Sequence, residues 1–196
     1  MAQISVSPTE FTMVDFSHEE IVAAIAELAE AFRIEDSETI EVVIDEASPL
    51  TRMRTESVEP MRFQVEGGAF EDTRRPRQMS ADRLRDSMGR LLLRAVDRRS
   101  SDFGDPPPDD ELSLAHSVAW EIYTVGRLAK LGSKGQRKRR LYQFRNRHGF
   151  TDRADAAFDE LWNGSGLTWA QIVEISDRAR GEVAAATERA GSAVST

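Results

Sequence analysis

The chain has 196 residues, no cysteine, and 34 acidic against 26 basic side chains, for a net charge of −8. Without cysteine there are no disulfides, no thiolate catalysis, no Fe–S ligation and no cysteine-based zinc site, which fits a reducing compartment. At 40% hydrophobic and 31% charged residues, it lies among globular chains that bury enough apolar surface to fold without staples. The segment MAQISVSPTEF has no basic stretch followed by an apolar one. No apolar run approaches the roughly 18 residues a membrane helix needs. The expected location is cytoplasmic, with no membrane partner.

In chain order, residues 10–16 (EFTMVDF) are rich in β-favouring and aromatic side chains and predict a first strand. Ser17 and Glu20 form a capping-box pattern, and Ile21, Ile25, Leu28 and Phe32 recur at helical spacing, predicting a helix over about 18–34. Thr39–Glu46 alternates, with Ile40, Val42 and Ile44 on one face. Leu50–Ser57, with its outward Arg52, Arg54 and Glu56, suits an edge strand, and Met61, Phe63 and Val65 mark another. Pro49 and Pro60 punctuate these runs, and Gly67–Gly68 suggests a bulge or bend.

EDTRRPRQMS reads as a polar loop ending at Ser80 as an N-cap. A helix over about 81–99 follows, its Leu84, Met88, Leu91, Leu92 and Ala95 forming one stripe. The three prolines of SSDFGDPPPDDE make a stiff acidic connector. Beyond it lies a helix over about 110–131 that is apolar on more than one face. Ser133 with Gln136 predicts a capping box for a basic helix ending at Gly149. Thr151 opens a further helix ending near Gly164, and Thr168 with Gln171 opens the last. The expectation is an α+β fold: a small, mostly antiparallel sheet in β-α-β-β-β order followed by a helical C-terminal half. Residues 1–131 would form the core domain and 132–196 a helical extension packed on it.

Charge is distributed unevenly. Residues 1–71 hold 16 acids and 4 bases, and residues 72–196 hold 18 acids and 22 bases. Between Arg127 and His148 stand nine lysines or arginines and no acid. Within this stretch Lys134, Arg137, Lys138, Arg139, Arg140, Arg145 and Arg147 are the candidate residues for binding an anionic partner. Interleaved with Tyr142, Phe144 and Phe150, they could neutralise phosphates and stack bases, or pack on an acidic protein. They could also answer the acids of the chain's own N-terminal half. In that case Leu141 and Phe144 point inward and Lys138, Arg139 and Arg145 form a solvated face.

Other chemistry is thinly supplied. The three histidines, His18, His116 and His148, include no pair at i, i+4 and no HExxH. His116, among apolar helix residues, reads as a satisfied core histidine rather than a base, since no nucleophile motif accompanies it. Asp102, Asp105, Asp109, Asp110 and Glu111 lack the spacing of a calcium loop. Asp102-Phe103-Gly104 matches a kinase tripeptide without the glycine-rich loop or catalytic loop that would go with it. No phosphate-binding loop or nucleophile elbow occurs, and no metal or cofactor is expected.

The order β-α-β-β-β-α is similar to the core of small zincin metallopeptidases, whose zinc helix would correspond to residues 81–99. That segment, ADRLRDSMGRLLLRAVDRR, has neither the histidine pair nor the glutamate base, so the resemblance implies a metal-free or inactive zincin-like fold. The stretch Leu167–Ala190 resembles a sigma-region helix-turn-helix through its L-T-W-x-x-I and Arg180-Gly181-Glu182-Val183. Asp177 and Arg178 stand where the turn glycine and a buried aliphatic residue belong.

The functional expectation is a non-enzymatic interaction or accessory protein with segregated acidic and basic surfaces. Its partner would be an acidic protein surface or a second copy of the chain. The alternative is nucleic-acid binding through residues 127–148, with steep salt dependence.

Overall fold

Gln3–Ser7 (β1) alternates, burying Val6 and half-burying Ile4, and at five residues it suits a short edge strand. In the computed structural model, which describes residues 2–181, it is followed by α1 (His18–Ala31), β2 (Thr39–Asp45), β3 (Met53–Val58) and β4 (Met61–Glu66). The sheet order is β1-β2-β4-β3. β1 pairs parallel to β2 and β2 parallel to β4, and only β3–β4 is antiparallel. The α+β class holds, but the sheet is mixed rather than mostly antiparallel. The reason lies in the connections and in side-chain polarity. A helix between β1 and β2 returns the chain in the same direction. Ile40, Val42, Ile44, Met61, Phe63 and Val65 are buried, which puts β2 and β4 at the centre, while the charged β3 takes the edge.

Residues 10–16 are not a strand. The chain there is held by side chains: the Glu46 carboxylate accepts from the Thr12 and Met13 backbone N–H groups, each at 2.8 Å. Those donors lower the Glu46 pKa from its ordinary value. Phe11 and Phe16 meet edge to face at 5.5 Å and close one end of the core. The segment read as a loop instead forms a hairpin, β5 (Glu71–Asp72) and β6 (Arg75–Met79). Its exposed arginines masked the strand signal, because neither face of β6 is apolar. Gly67 and Gly68 lie in a buried turn, and a Cβ on Gly68 would fall 2.0 Å from the Pro49 carbonyl oxygen.

One face of the sheet is covered by α1 and by α2 (Ala81–Arg99), as predicted from the stripes. Ile21, Ile25 and Leu28 of α1 and Leu84, Met88 and Leu92 of α2 complete the core. The other face is polar, carrying the Glu41–Arg62 ion pair at 2.7 Å. Ser17 caps α1 and Ser80 caps α2, each accepting from the N–H three residues on.

The chain divides into two compact units, Met1–Ser100 and Ser101–Thr196. The second unit, among the described residues, comprises α3 (Leu114–Lys130), α4 (Arg137–His148), α5 (Asp152–Asn163) and α6 (Trp169–Arg180). α3 belongs here because Trp120, Ile122 and Tyr123 share one buried cluster with Phe144 of α4, Phe158 and Leu161 of α5, and Ile172 and Ile175 of α6. Phe103, the middle of the kinase-like tripeptide, is buried and stacks on Trp120 at 5.4 Å. Its carbonyl accepts from Trp169 N–H at 2.7 Å, so the match reflects packing.

α3 starts at Leu114 rather than 110, with Ser113 as its N-cap; Asp109–Glu111 therefore precede the helix instead of lining its first turn. Gly126 lets α3 and α5 approach closely, since a Cβ there would lie 2.2 Å from the Trp162 carbonyl oxygen. The expected Ser133–Gln136 box does not form: the N-cap of α4 is Gln136, in a left-handed conformation with no side-chain cap. Thr168–Gln171 does form a capping box on α6.

Candidate functional site

The basic segment is sorted by the geometry of α4. One face turns Phe144 and His148 into the core, with Arg140, Leu141 and Arg145 half-buried at its margins. The opposite face exposes Lys138, Arg139, Tyr142, Gln143, Asn146 and Arg147.

The cations nearest the core are engaged by carboxylates of the same unit. Arg145 grips Asp155 of α5 through two N–H donors, one at 2.7 Å. The contact raises the Arg145 pKa and holds the Asp155 carboxyl below its ordinary value. Arg140 pairs with Glu121 of α3 at 2.9 Å, both side chains mostly buried. Arg137 pairs with Asp159 and lies 5.3 Å from the Phe158 ring centroid. Lys130 donates to the carbonyls of Asn163 and Gly164 at the end of α5, each at 2.8 Å, where a cation complements the helix dipole. Arg127 lies 4.2 Å over the Tyr123 ring. Lys134 is exposed and has partners of its own.

One sequence expectation changes accordingly: Arg145 is not part of a solvated face. Carboxylates of α3 and α5 answer Arg140, Arg145 and Arg137. Within residues 1–100, Arg85 of α2 pairs with Glu27, and Arg99 with Glu38 and Glu59. Divided at Ser100, residues 1–100 hold 20 acids and 13 bases, and residues 101–196 hold 14 acids and 13 bases. Neither unit is basic as a whole; α4 alone carries six bases and no acid.

Lys138, Arg139 and Arg147 remain on the outer face, and among the described residues no carboxylate pairs with any of them. Arg139 makes only a long contact, 3.4 Å, to the Gln136 side chain. On the same exposed side is an aromatic pair: Tyr142, 59% exposed, and Phe150, 62% exposed, with ring centroids 5.9 Å apart and planes at 70°. The pair depends on Gly149, whose φ of +99° ends α4 and folds Phe150 back along it. Interleaved aromatics are visible in the sequence; that Phe144 faces in while Tyr142 and Phe150 face out follows from their spacing once Gly149 is known to stop the helix.

The histidines are structural. His148 is 2% exposed. Its Nδ1–H donates to the Phe144 carbonyl at 3.1 Å, leaving Nε2 to accept from the Ser176 hydroxyl at 2.8 Å. Burial lowers its pKa to about 4. This Ser–His contact is sealed in the core, out of reach of a substrate. His116 is half-buried, not a core residue: its Nε2–H donates to Asp177 at 2.9 Å, with Trp169 edge-on at 6.1 Å. His18 contacts the Val6 carbonyl at 3.2 Å. Among the described residues no group of three or more His, Asp or Glu side chains could hold a metal ion.

Residues 81–99, the zinc helix of the zincin-like order, give the sheet leucines and a methionine. The helix-turn-helix resemblance is corrected at its turn. α6 runs unbroken through Asp177 and Arg178 to Arg180, and residues 182–190, the second helix of that motif, lie outside the described residues. No helix among the described residues is long and apolar enough to cross a membrane. Compared with known proteins, the chain matches no family model, no curated protein and no solved structure.

Proposed function

We propose that this chain is a non-enzymatic interaction protein that docks an anionic partner on the outer face of α4. The observation that carries this reading is the division of labour among the seven candidate cations. Arg137, Arg140 and Arg145 are consumed by Asp159, Glu121 and Asp155, whereas Lys138, Arg139 and Arg147 stay in water beside two exposed rings. Charges held in internal pairs contribute little to a partner; solvated ones on a rigid helix supply attraction and steering at low ordering cost. A non-catalytic role is supported by the sealing of the Ser176–His148 contact in the core.

The test is anisotropy of two labelled polyanions, polyglutamate and inorganic polyphosphate, at low and physiological salt. Wild type should bind at least one of them in a salt-sensitive manner, and the K138A/R139A/R147A variant should not. Failure to bind either, or equal binding by the variant, overturns the reading. So does turnover of a substrate that a point mutation abolishes.

A further inference from the structure

We infer that the α4 face takes single-stranded nucleic acid, phosphates lying on Lys138, Arg139 and Arg147 and a base stacking on the Tyr142–Phe150 pair. The inference rests on the docking role proposed for this face and adds the chemistry of the partner.

Charge alone would suit any polyanion; the rings narrow the choice. Tyr142 shares the solvent-facing side of α4 with the cations, and Phe150 meets it edge to face, each ring about three-fifths exposed, so ring surface is presented to solvent. A strand whose bases are unstacked offers π-faces to such a platform together with phosphates for its flanks. A duplex keeps its bases stacked and meets only the cations. With a rise of about 1.5 Å per residue, Lys138 and Tyr142 lie about 6 Å apart along the axis and Arg139 and Arg147 about 12 Å. That span covers a few nucleotides of single strand, with Tyr142 inside it.

A second copy of the chain fits less well. The acidic row on α1, Glu19, Glu20 and Glu30, has only the small side chains of Ala23 and Ala31 as exposed apolar neighbours on that helix, so docking there would leave Tyr142 and Phe150 without a sizeable apolar counterpart. Arg137, Arg140 and Arg145 are not part of the proposed contact, because they are paired with Asp159, Glu121 and Asp155.

The deciding experiment titrates the full chain against labelled single-stranded RNA and DNA 12-mers, the matching duplex, inorganic polyphosphate and polyglutamate, from low to physiological salt. Single strands should bind most tightly, with a log–log salt slope near −2, as expected for about three phosphates neutralised at about 0.7 each. Y142A/F150A, which removes only exposed rings, should weaken single-strand binding about ten- to hundredfold without changing the slope. K138A/R139A/R147A should flatten the slope. RNA and DNA binding alike supports a stacking platform, and preference for one of them supports it with a sugar contact added. If duplex or polyphosphate binds as tightly as single strand and Y142A/F150A behaves as wild type, the inference falls and the docking face remains. If only polyglutamate binds, the partner is an acidic protein and the inference falls. If nothing binds, both fall together.

Discussion

The imidazole of His148 and the hydroxyl of Ser176 meet at 2.8 Å in the core of the helical unit and tie α4 to α6. Burial keeps the ring neutral, with its pKa at about 4; the hydrogen bond to the Phe144 carbonyl and the charge of Asp177 oppose it, while Arg180 and His116 push the same way as burial. In the unfolded chain the ring takes a proton near its ordinary value of about 6.5. The folded pKa is the lower, so this group's contribution is complete above about pH 6.5 and is lost as pH falls towards 4. The loss approaches about 3 kcal/mol. Urea midpoints of wild type and H148Q between pH 7.5 and 4 should diverge at neutral pH and converge in acid. A parallel pair of curves would show that His148 does not carry the dependence.

Ser176→Ala removes the donor and leaves Nε2 buried without one. The expected cost is about 1–3 kcal/mol, read from denaturant unfolding at pH 7 by the fluorescence of Trp120, Trp162 and Trp169, all of which lie in the helical unit.

Gly126→Ala should be among the most damaging single-methyl additions in the chain. The new Cβ would sit 2.2 Å from the Trp162 carbonyl oxygen, and backbone cannot yield as a side chain does. Overpacking of this kind costs about 1–3 kcal/mol or more. Thermal unfolding of G126A should show a clear drop in Tm; an unchanged Tm would mean that α3 and α5 do not approach as described.

The two similar sequence patterns at Ser133–Gln136 and Thr168–Gln171 should respond differently. Thr168→Ala breaks a formed box and should cost about 1 kcal/mol. Gln136→Ala removes no cap hydrogen bond and should leave denaturant stability nearly unchanged. Equal effects would indicate that both helices begin the same way.

Those two patterns also show what was legible. Residue spacing identifies α1, α2, β2 and β4 almost to the residue, because each buries one regular face and its period survives in the sequence. The hairpin β5–β6 and the strand β1 are harder to see. β6 has no apolar face to reveal it, and β1 is outcompeted by the aromatic segment after it, whose rings pack while its backbone hangs on Glu46. Parallel pairing of β1 with β2 was implied by the intervening helix. At the candidate site, sequence identifies the cations but not their allegiance. Which arginine meets Asp155, Asp159 or Glu121 depends on how α3, α4 and α5 pack, a long-range property that local spacing does not carry. Equally, His116 has its partner sixty-one residues away on α6.

Gly149 ends α4 and at the same time swings Phe150 against Tyr142. The stop signal of the helix and half of its aromatic surface thus share one peptide unit, and a side chain at that position would disturb both. A variant found there with weakened binding would look like an ordinary folding defect. Only removal of the Phe150 ring, with the glycine kept, separates recognition from the architecture that presents it.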